Sequence, residues 1–164
     1  MKQTAQNEQV ENSGKTTNAT LPFKVSGPVR HGDKRGRLLG FPTANLVSAQ
    51  IVGLAYGVYA STTRITGRSP KEFASVTSYG TRPTFEGEEA RVETHIFDFD
   101  GDIYGEVIDV CLTDFVRCEL RFETEEDLVK AMTQDVVFVR SLFSCKNEHK
   151  SEETWTCRPS LSLS

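Results

Sequence analysis

Runs of β-branched and aromatic residues, broken by turn signals and followed by one capped helix, restrict this chain to a small set of folds. Candidate strands occupy 23–29, 57–65, 72–79, 91–99 and 103–112. The run Gly57-Val58-Tyr59-Ala60-Ser61-Thr62-Thr63-Arg64-Ile65 is typical, since its residues suit a pleated, half-buried surface. Thr66-Gly67-Arg68-Ser69-Pro70 supplies a turn before the 72–79 run. Asp100-Gly101, between the last two runs, predicts a tight hairpin, because Asp-Gly accepts the positive φ such turns demand. Thr124-Glu125-Glu126-Asp127 then has the form of a capping box. Leu128, Met132, Val136, Val139 and Phe143 follow at helical spacing and lay an apolar stripe along one face. Met132 in that stripe reads as core filler. Short strands ahead of one amphipathic helix predict a mainly β chain, a small antiparallel barrel with the helix packed on it.

The 164 residues suit one domain, expected over 21–145. Residues 1–20 and 146–164 are polar and predict tails, the first disordered, although Trp155, Leu161 and Leu163 offer the second something to dock with. A net charge of −4 argues against nucleic acid as the main partner. No apolar run approaches the ~18–20 residues that span a bilayer, and the N-terminus lacks the apolar segment of a secretory signal. A cytoplasmic protein, not bound to membrane, is the expectation. Cys111, Cys118, Cys145 and Cys157 form no metal-ligand spacing and read as reduced thiols.

Two segments can carry chemistry. Gly32-Asp33-Lys34-Arg35-Gly36-Arg37 is a basic, glycine-bearing loop able to bring backbone N–H groups and cations to an anion, although most such loops are solvated turns. It leads into Gly40-Phe41-Pro42-Thr43-Ala44-Asn45, which reads as neither helix nor regular strand. Pro42 stiffens the backbone ahead of two oxygen donors, Thr43 and Asn45. Such donors suit a hard cation such as Mg2+, or they simply cap backbone groups in a turn; both readings stand on the residues alone. Neither the Walker A pattern nor the protein-kinase signatures occur.

Gly40-Phe41-Pro42-Thr43-Ala44-Asn45 resembles the signature of riboflavin kinases (flavokinases). Other segments similar to that family are His31-Gly32-Asp33-Lys34-Arg35-Gly36-Arg37, Gly57-Val58-Tyr59, Gly80-Thr81-Arg82-Pro83-Thr84-Phe85, Val92-Glu93-Thr94-His95-Ile96, Tyr104-Gly105, Arg117, and 119–122 with the closing helix. They cover the folded region in order. The resemblance implies a six-stranded antiparallel Greek-key barrel with one C-terminal amphipathic helix. It implies ATP and riboflavin as substrates, FMN and ADP as products, and a divalent cation, Mg2+ or alternatively Zn2+ or Mn2+. By the same resemblance Thr43 and Asn45 hold the metal and the ATP phosphates. Gly32 and Arg37 belong to the loop over the nucleotide, and Tyr104 lies near it. Ile96, Arg117, Glu119 and Phe122 contact the flavin, and Glu93 is the catalytic carboxylate.

That role for Glu93 suits the chemistry, because a primary alcohol attacks phosphorus better when a carboxylate takes its proton. Alternation of Arg91, Glu93 and His95 with Val92, Thr94 and Ile96 also fits a carboxylate that merely faces solvent. His95 shares the Glu93 face and reads as a hydrogen-bonding residue, and His31 as a loop residue. Ser78-Tyr79 and Cys118 depart from the family, which commonly has Asn and an aliphatic residue before the glycine, and Pro after the arginine. The length leaves no room for the adenylyltransferase half of many bacterial members, so FMN but not FAD is the expected product. A monomer is expected. The competing readings are a barrel that binds flavin or nucleotide without catalysis, and an oligonucleotide-binding barrel, which the acidic balance disfavours.

Overall fold

The computed structural model describes residues 20–47, 53–68, 70–84 and 87–148. The expected tails therefore lie outside the described residues at 1–19 and 149–164, and Trp155, Cys157, Leu161 and Leu163 with them. In chain order the elements are β1 (Phe23–Arg30), a single helical turn α1 (Arg35–Leu38), β2 (Ala44–Val47), β3 (Gly57–Ile65), β4 (Glu72–Thr84), β5 (Gly87–Ile96), β6 (Val107–Arg117) and α2 (Glu125–Glu148). The strands close into an antiparallel barrel in the order β1-β2-β5-β4-β3-β6. β3, β4 and β5 form a meander and β6 returns to lie beside β3, which is the Greek-key connection. Closure leaves these strands without a free edge. No helix among the described residues is long and apolar enough to cross a membrane.

Strand alternation sorts side chains between the barrel interior and its outer face. Val29, Leu46, Tyr59, Tyr79, Val92, Ile108, Val110 and Leu112 point inward and are almost completely buried. One interior wall is made of hydroxyls instead: Ser61, Thr63, Ser75, Thr77 and Thr94 are fully buried on β3, β4 and β5. They satisfy one another. Ser61 Oγ lies 2.8 Å from Ser75 Oγ and 2.7 Å from Thr77 Oγ1, Thr63 Oγ1 lies 2.8 Å from Ser75 Oγ, and Thr77 Oγ1 lies 3.0 Å from Thr94 Oγ1.

The hairpin expected at Asp100-Gly101 does not form. Both edges of β5 are taken by β2 and β4, and both edges of β6 by β1 and β3, so the two strands never pair. Residues 97–106 instead cross one end of the barrel. Phe97 N donates to Ala74 O (2.9 Å), and Gly105 N to Val29 O (2.9 Å). Ile103 is buried in the core, and Phe99 meets Phe73 edge-on at 5.4 Å. The positive φ of Asp98 (54°), Gly101 (156°) and Gly105 (80°) serves this crossing. The apolar residues of 97–103 thus gain more by covering the barrel than by lining a ladder.

The segment 40–45 also differs from its reading. Residues 40–43 are irregular as expected, but Ala44 and Asn45 belong to β2, a strand that the sequence did not announce because only four residues carry it. The loop before it contains the turn α1, entered through Lys34 at φ 59°. β4 runs five residues beyond the expected end at Tyr79, and α2 three beyond 145.

The α2 cap forms as expected: Asp127 N donates to Thr124 Oγ1 (3.1 Å), whose hydroxyl donates to Asp127 Oδ2 (2.7 Å). Val139, with Val136 and Phe143, packs against Ala60, Ala74, Val76 and Phe97 on the outer face of the barrel. Arg140 fastens this end of the helix. Its guanidinium makes paired bonds to Asp98 at 2.8 and 3.0 Å and covers the Phe97 ring at 4.5 Å. The same bonds hold the Asp98 carboxyl below its ordinary range.

Thr77→Val keeps the shape of the interior but leaves Ser61 and Thr94 short of a partner. It is expected to lower stability by about 1–3 kcal/mol, read as an earlier urea midpoint at unchanged slope.

Candidate functional site

Barrel closure sets up one particular row. Asn45 on β2 pairs with Glu93 on β5, Glu93 with Ser78 on β4, Ser78 with Val58 on β3, and Val58 with Arg117 on β6. Directly opposed residues share a face of a sheet. Their chain neighbours Leu46, Val92, Thr94, Thr77, Tyr79 and Tyr59 are buried inside, so this row faces outward. Two register shifts in the β3–β6 pairing, between Val58 and Tyr59 and between Ala60 and Ser61, mark β-bulges that bend β6 as it reaches Arg117.

Above the row lies a cleft of about 290 Å³. Its floor is the outer face of β3, β4 and β5, with Val58, Val76, Ser78, Glu93 and His95. One wall is the α1 turn with Thr43, and the other is the first half of α2 with the segment 117–122. Leu128 and Met132 line this wall, so Met132 is not the core filler that the helical pattern implied. The apolar stripe of α2 serves two purposes: Val139 and Phe143 fill the contact with the barrel, while Leu128 and Met132 present an apolar surface to the cleft. Arg35 of α1 reaches Glu125 of α2 at 3.1 Å and spans the two walls.

Glycines make the α1 side possible. A Cβ on Gly32 would lie 2.5 Å from the Asn45 amide, and one on Gly36 would lie 2.5 Å from Phe41 O and 3.5 Å from Thr43 Oγ1. Phe41 N donates to Gly36 O (2.8 Å), which folds 40–43 back onto the turn. Asn45 Nδ2 donates to Thr43 O (3.3 Å), so Oδ1 is the acceptor end of that amide. Thr43 and Asn45 thus offer two neutral oxygens beside a loop carrying Lys34, Arg35 and Arg37. No group of three or more His, Cys, Asp or Glu suited to a metal occurs among the described residues. Such a site fits a hard cation that takes its remaining ligands from water and phosphate, as Mg2+ does.

On the opposite side Arg117 makes a bidentate pair with Asp135 of α2, Nε to Oδ1 at 2.9 Å and Nη2 to Oδ2 at 2.7 Å. Arg117 Nη1 also donates to Cys118 O (3.0 Å), and its guanidinium lies 6.0 Å from the Phe122 ring. The Glu119 carboxylate rests directly on Gly80, where any Cβ would overlap it. Desolvation there lifts the Glu119 carboxyl above its ordinary range, with Arg117 pulling it back in part.

Of the residues singled out by sequence, Thr43, Glu93, Arg117, Glu119 and Phe122 line this one cleft. Asn45 joins them through the register row and its bond to Thr43. Gly32 backs Asn45, and Arg37 is exposed on α1. Tyr104 stands apart from the cleft lining, stacked on His31 at 3.9 Å between centroids. Ile96 does not reach the cleft: it alternates to the inside of β5 and packs in the barrel core. Sequence reasoning passed over Leu128, Met132 and Asp135. Asp135 carried a signal, since an acid spaced i+3 from Met132 and i−4 from Val139 sits on the apolar face and requires a cation.

The family described as "Flavokinase: Riboflavin kinase" matches residues 19–143. The bifunctional riboflavin kinase/FMN adenylyltransferase of Haemophilus influenzae is 37% identical over 123 residues, covering 75% of this chain and 39% of that protein. The chain thus spans about two fifths of the length of the curated relatives it matches. A Streptococcus pneumoniae crystal structure described as a macrolide-efflux protein superposes with a TM-score of 0.65 at 39% identity, over 73% of this chain and 38% of that one. Riboflavin kinase from Trypanosoma brucei shares the fold, with a TM-score of 0.51 at 22% identity, over 74% of this chain and 79% of that one.

Asp135→Ala strands the Arg117 guanidinium and is expected to cost about 1–3 kcal/mol, measured by urea unfolding. Glu119→Gln is expected to act in the opposite direction. The folded Glu119 carboxyl holds its proton more tightly than the unfolded chain does, so it weakens the fold as pH rises through its raised pKa. The variant therefore gains thermal midpoint at neutral pH, and the gain vanishes below the ordinary Glu range, about 4.3.

Proposed function

The chain belongs to the riboflavin kinase family, and from that premise we propose that it transfers the γ-phosphate of ATP to the 5′-hydroxyl of riboflavin, giving FMN and ADP. The observation that carries this reading is the register row, which sets Glu93 directly opposite Asn45 and beside Thr43 in one cleft. A carboxylate adjoins two oxygen donors suited to a phosphate-bound cation. That arrangement serves attack by an alcohol on phosphorus.

In this reading Glu93 accepts the riboflavin 5′-hydroxyl proton as the oxygen bonds to the γ-phosphorus and the bond to ADP breaks. Thr43 and Asn45 orient the phosphates and hold the divalent cation, with Mg2+ the first choice and Zn2+ or Mn2+ the alternatives. The cation supplies neutralisation of charge on the phosphate oxygens. Gly32 and Arg37 lie in the loop over the nucleotide, with Tyr104 near it. Arg117, Glu119 and Phe122 form the flavin side, and Leu128 and Met132 offer apolar surface to its ring system. Ile96 supports that side from within the barrel. We take a monomer as the working unit.

Glu93→Gln removes the proton acceptor while keeping the size of the side chain. FMN formation from riboflavin, ATP and Mg2+, followed by chromatography, is expected to fall at least about 100-fold, with ATP binding by calorimetry nearly unchanged. Turnover near that of the parent protein would sink the role of Glu93. Binding of both substrates by the parent chain without FMN would favour a barrel that binds and does not catalyse.

A further inference from the structure

The loop that carries Thr43 enters β2 through a proline, and this leaves a gap in the ladder. β2 and β5 pair from Ala44↔Thr94 to Val47↔Arg91. The pairing stops short of Thr43, and Pro42 has no N–H to extend it. Yet Thr43 must be held in register if its hydroxyl is to serve a phosphate. Backbone bonds secure the earlier part of the loop, Phe41 N to Gly36 O and Gly40 N to Arg37 O. They do not determine the plane of the Pro42–Thr43 peptide.

His95 does. Its Nδ1 lies 2.8 Å from Pro42 O. A carbonyl only accepts, so Nδ1 carries the proton and donates, leaving Nε2 as an acceptor when the ring is neutral. Phe41 packs edge-on to the His95 ring at 5.7 Å and Phe97 does so at 5.6 Å, which fixes the ring between the loop and the strand. His95 stands two residues from Glu93 on the same outward face and lines the cleft with Glu93 and Thr43. Because Pro42 O belongs to the peptide that ends at Thr43 N, the imidazole sets the orientation of Thr43 relative to Glu93.

We propose that His95 is a positioning residue for phosphoryl transfer, fastening the Pro42 carbonyl to β5 so that Thr43 and Glu93 keep one geometry. The role rests on the phosphotransferase reading of the cleft. It assigns no proton transfer to His95: Nε2 does no chemistry, and Nδ1, bonded to the Pro42 carbonyl, does the work.

The two nitrogens can be tested apart. An asparagine amide places its N–H near the position of Nδ1, whereas a glutamine amide reaches toward that of Nε2. His95→Ala and His95→Gln are expected to lose about 10- to 100-fold in kcat/KM for ATP, the usual scale for a misplaced group. His95→Asn is expected to retain most of the parent activity, and KM for riboflavin is expected to hold in all three. If the alanine variant fails to fold by circular dichroism, the Asn–Gln comparison decides alone. An asparagine variant as impaired as glutamine would overturn the role, and so would a loss confined to the riboflavin KM. In nitrogen-labelled parent protein, the imidazole spectrum is expected to show the Nδ1–H tautomer at His95; the Nε2–H tautomer would overturn the geometry without reference to turnover. A parent chain that forms no FMN overturns the phosphotransferase reading and this role together, whereas an active parent with an impaired asparagine variant overturns this role alone.

Discussion

Strand register in the closed barrel is the constraint on which the rest depends. Because side chains alternate, a slip of one residue in β5 would carry Glu93 and His95 inside and expose Val92, Thr94 and Ile96. Closure suppresses such a slip, since every strand is held on both sides. The interior adds its own resistance. Ser61, Thr63, Ser75, Thr77 and Thr94 bond across three strands, and a shift in any one would strand buried hydroxyls. The wall beneath the cleft is therefore polar, yet satisfied, and the row Asn45–Glu93–Ser78–Val58–Arg117 rests on it.

Helix α2 turns that row into a site. Its two halves meet different surroundings: Val139 and Phe143 close against the barrel, and Leu128 and Met132 stand away from it. Ion pairs hold both ends of this arrangement. Arg140 grips Asp98 at the crossing segment, and Asp135 grips Arg117 where β6 ends. The first pair is exposed, so the Phe97 ring under its guanidinium matters as much as the charge. The second is largely desolvated at Asp135 and has the bidentate geometry that makes such a pair directional.

Small residues decide how near the walls come. Gly32 accepts Asn45, Gly36 accepts the Phe41 carbonyl, and Gly80 accepts the Glu119 carboxylate. At each place a methyl group would overlap the neighbouring atom. Membership of the riboflavin kinase family agrees with this geometry, since the matched residues 19–143 contain both walls and the floor.

By itself the sequence determined the local features: the capping box at Thr124, the apolar stripe of α2, five of the six strands to within about five residues at either end, and the face shared by Glu93 and His95. Through resemblance it also indicated six strands and singled out Thr43, Glu93, Arg117, Glu119 and Phe122, which line the cleft. These are readable because periodicity, capping and turn chemistry act within a few residues of chain. Only the tertiary structure decided which strands are partners. It replaced an Asp-Gly hairpin by a crossing, because both edges of β5 and β6 were already occupied. It made a strand of Ala44–Val47, turned Ile96 inward, and gave half of a core-like stripe to the cleft. Such choices depend on which surfaces compete for burial across the whole barrel, and no local stretch of sequence contains that competition.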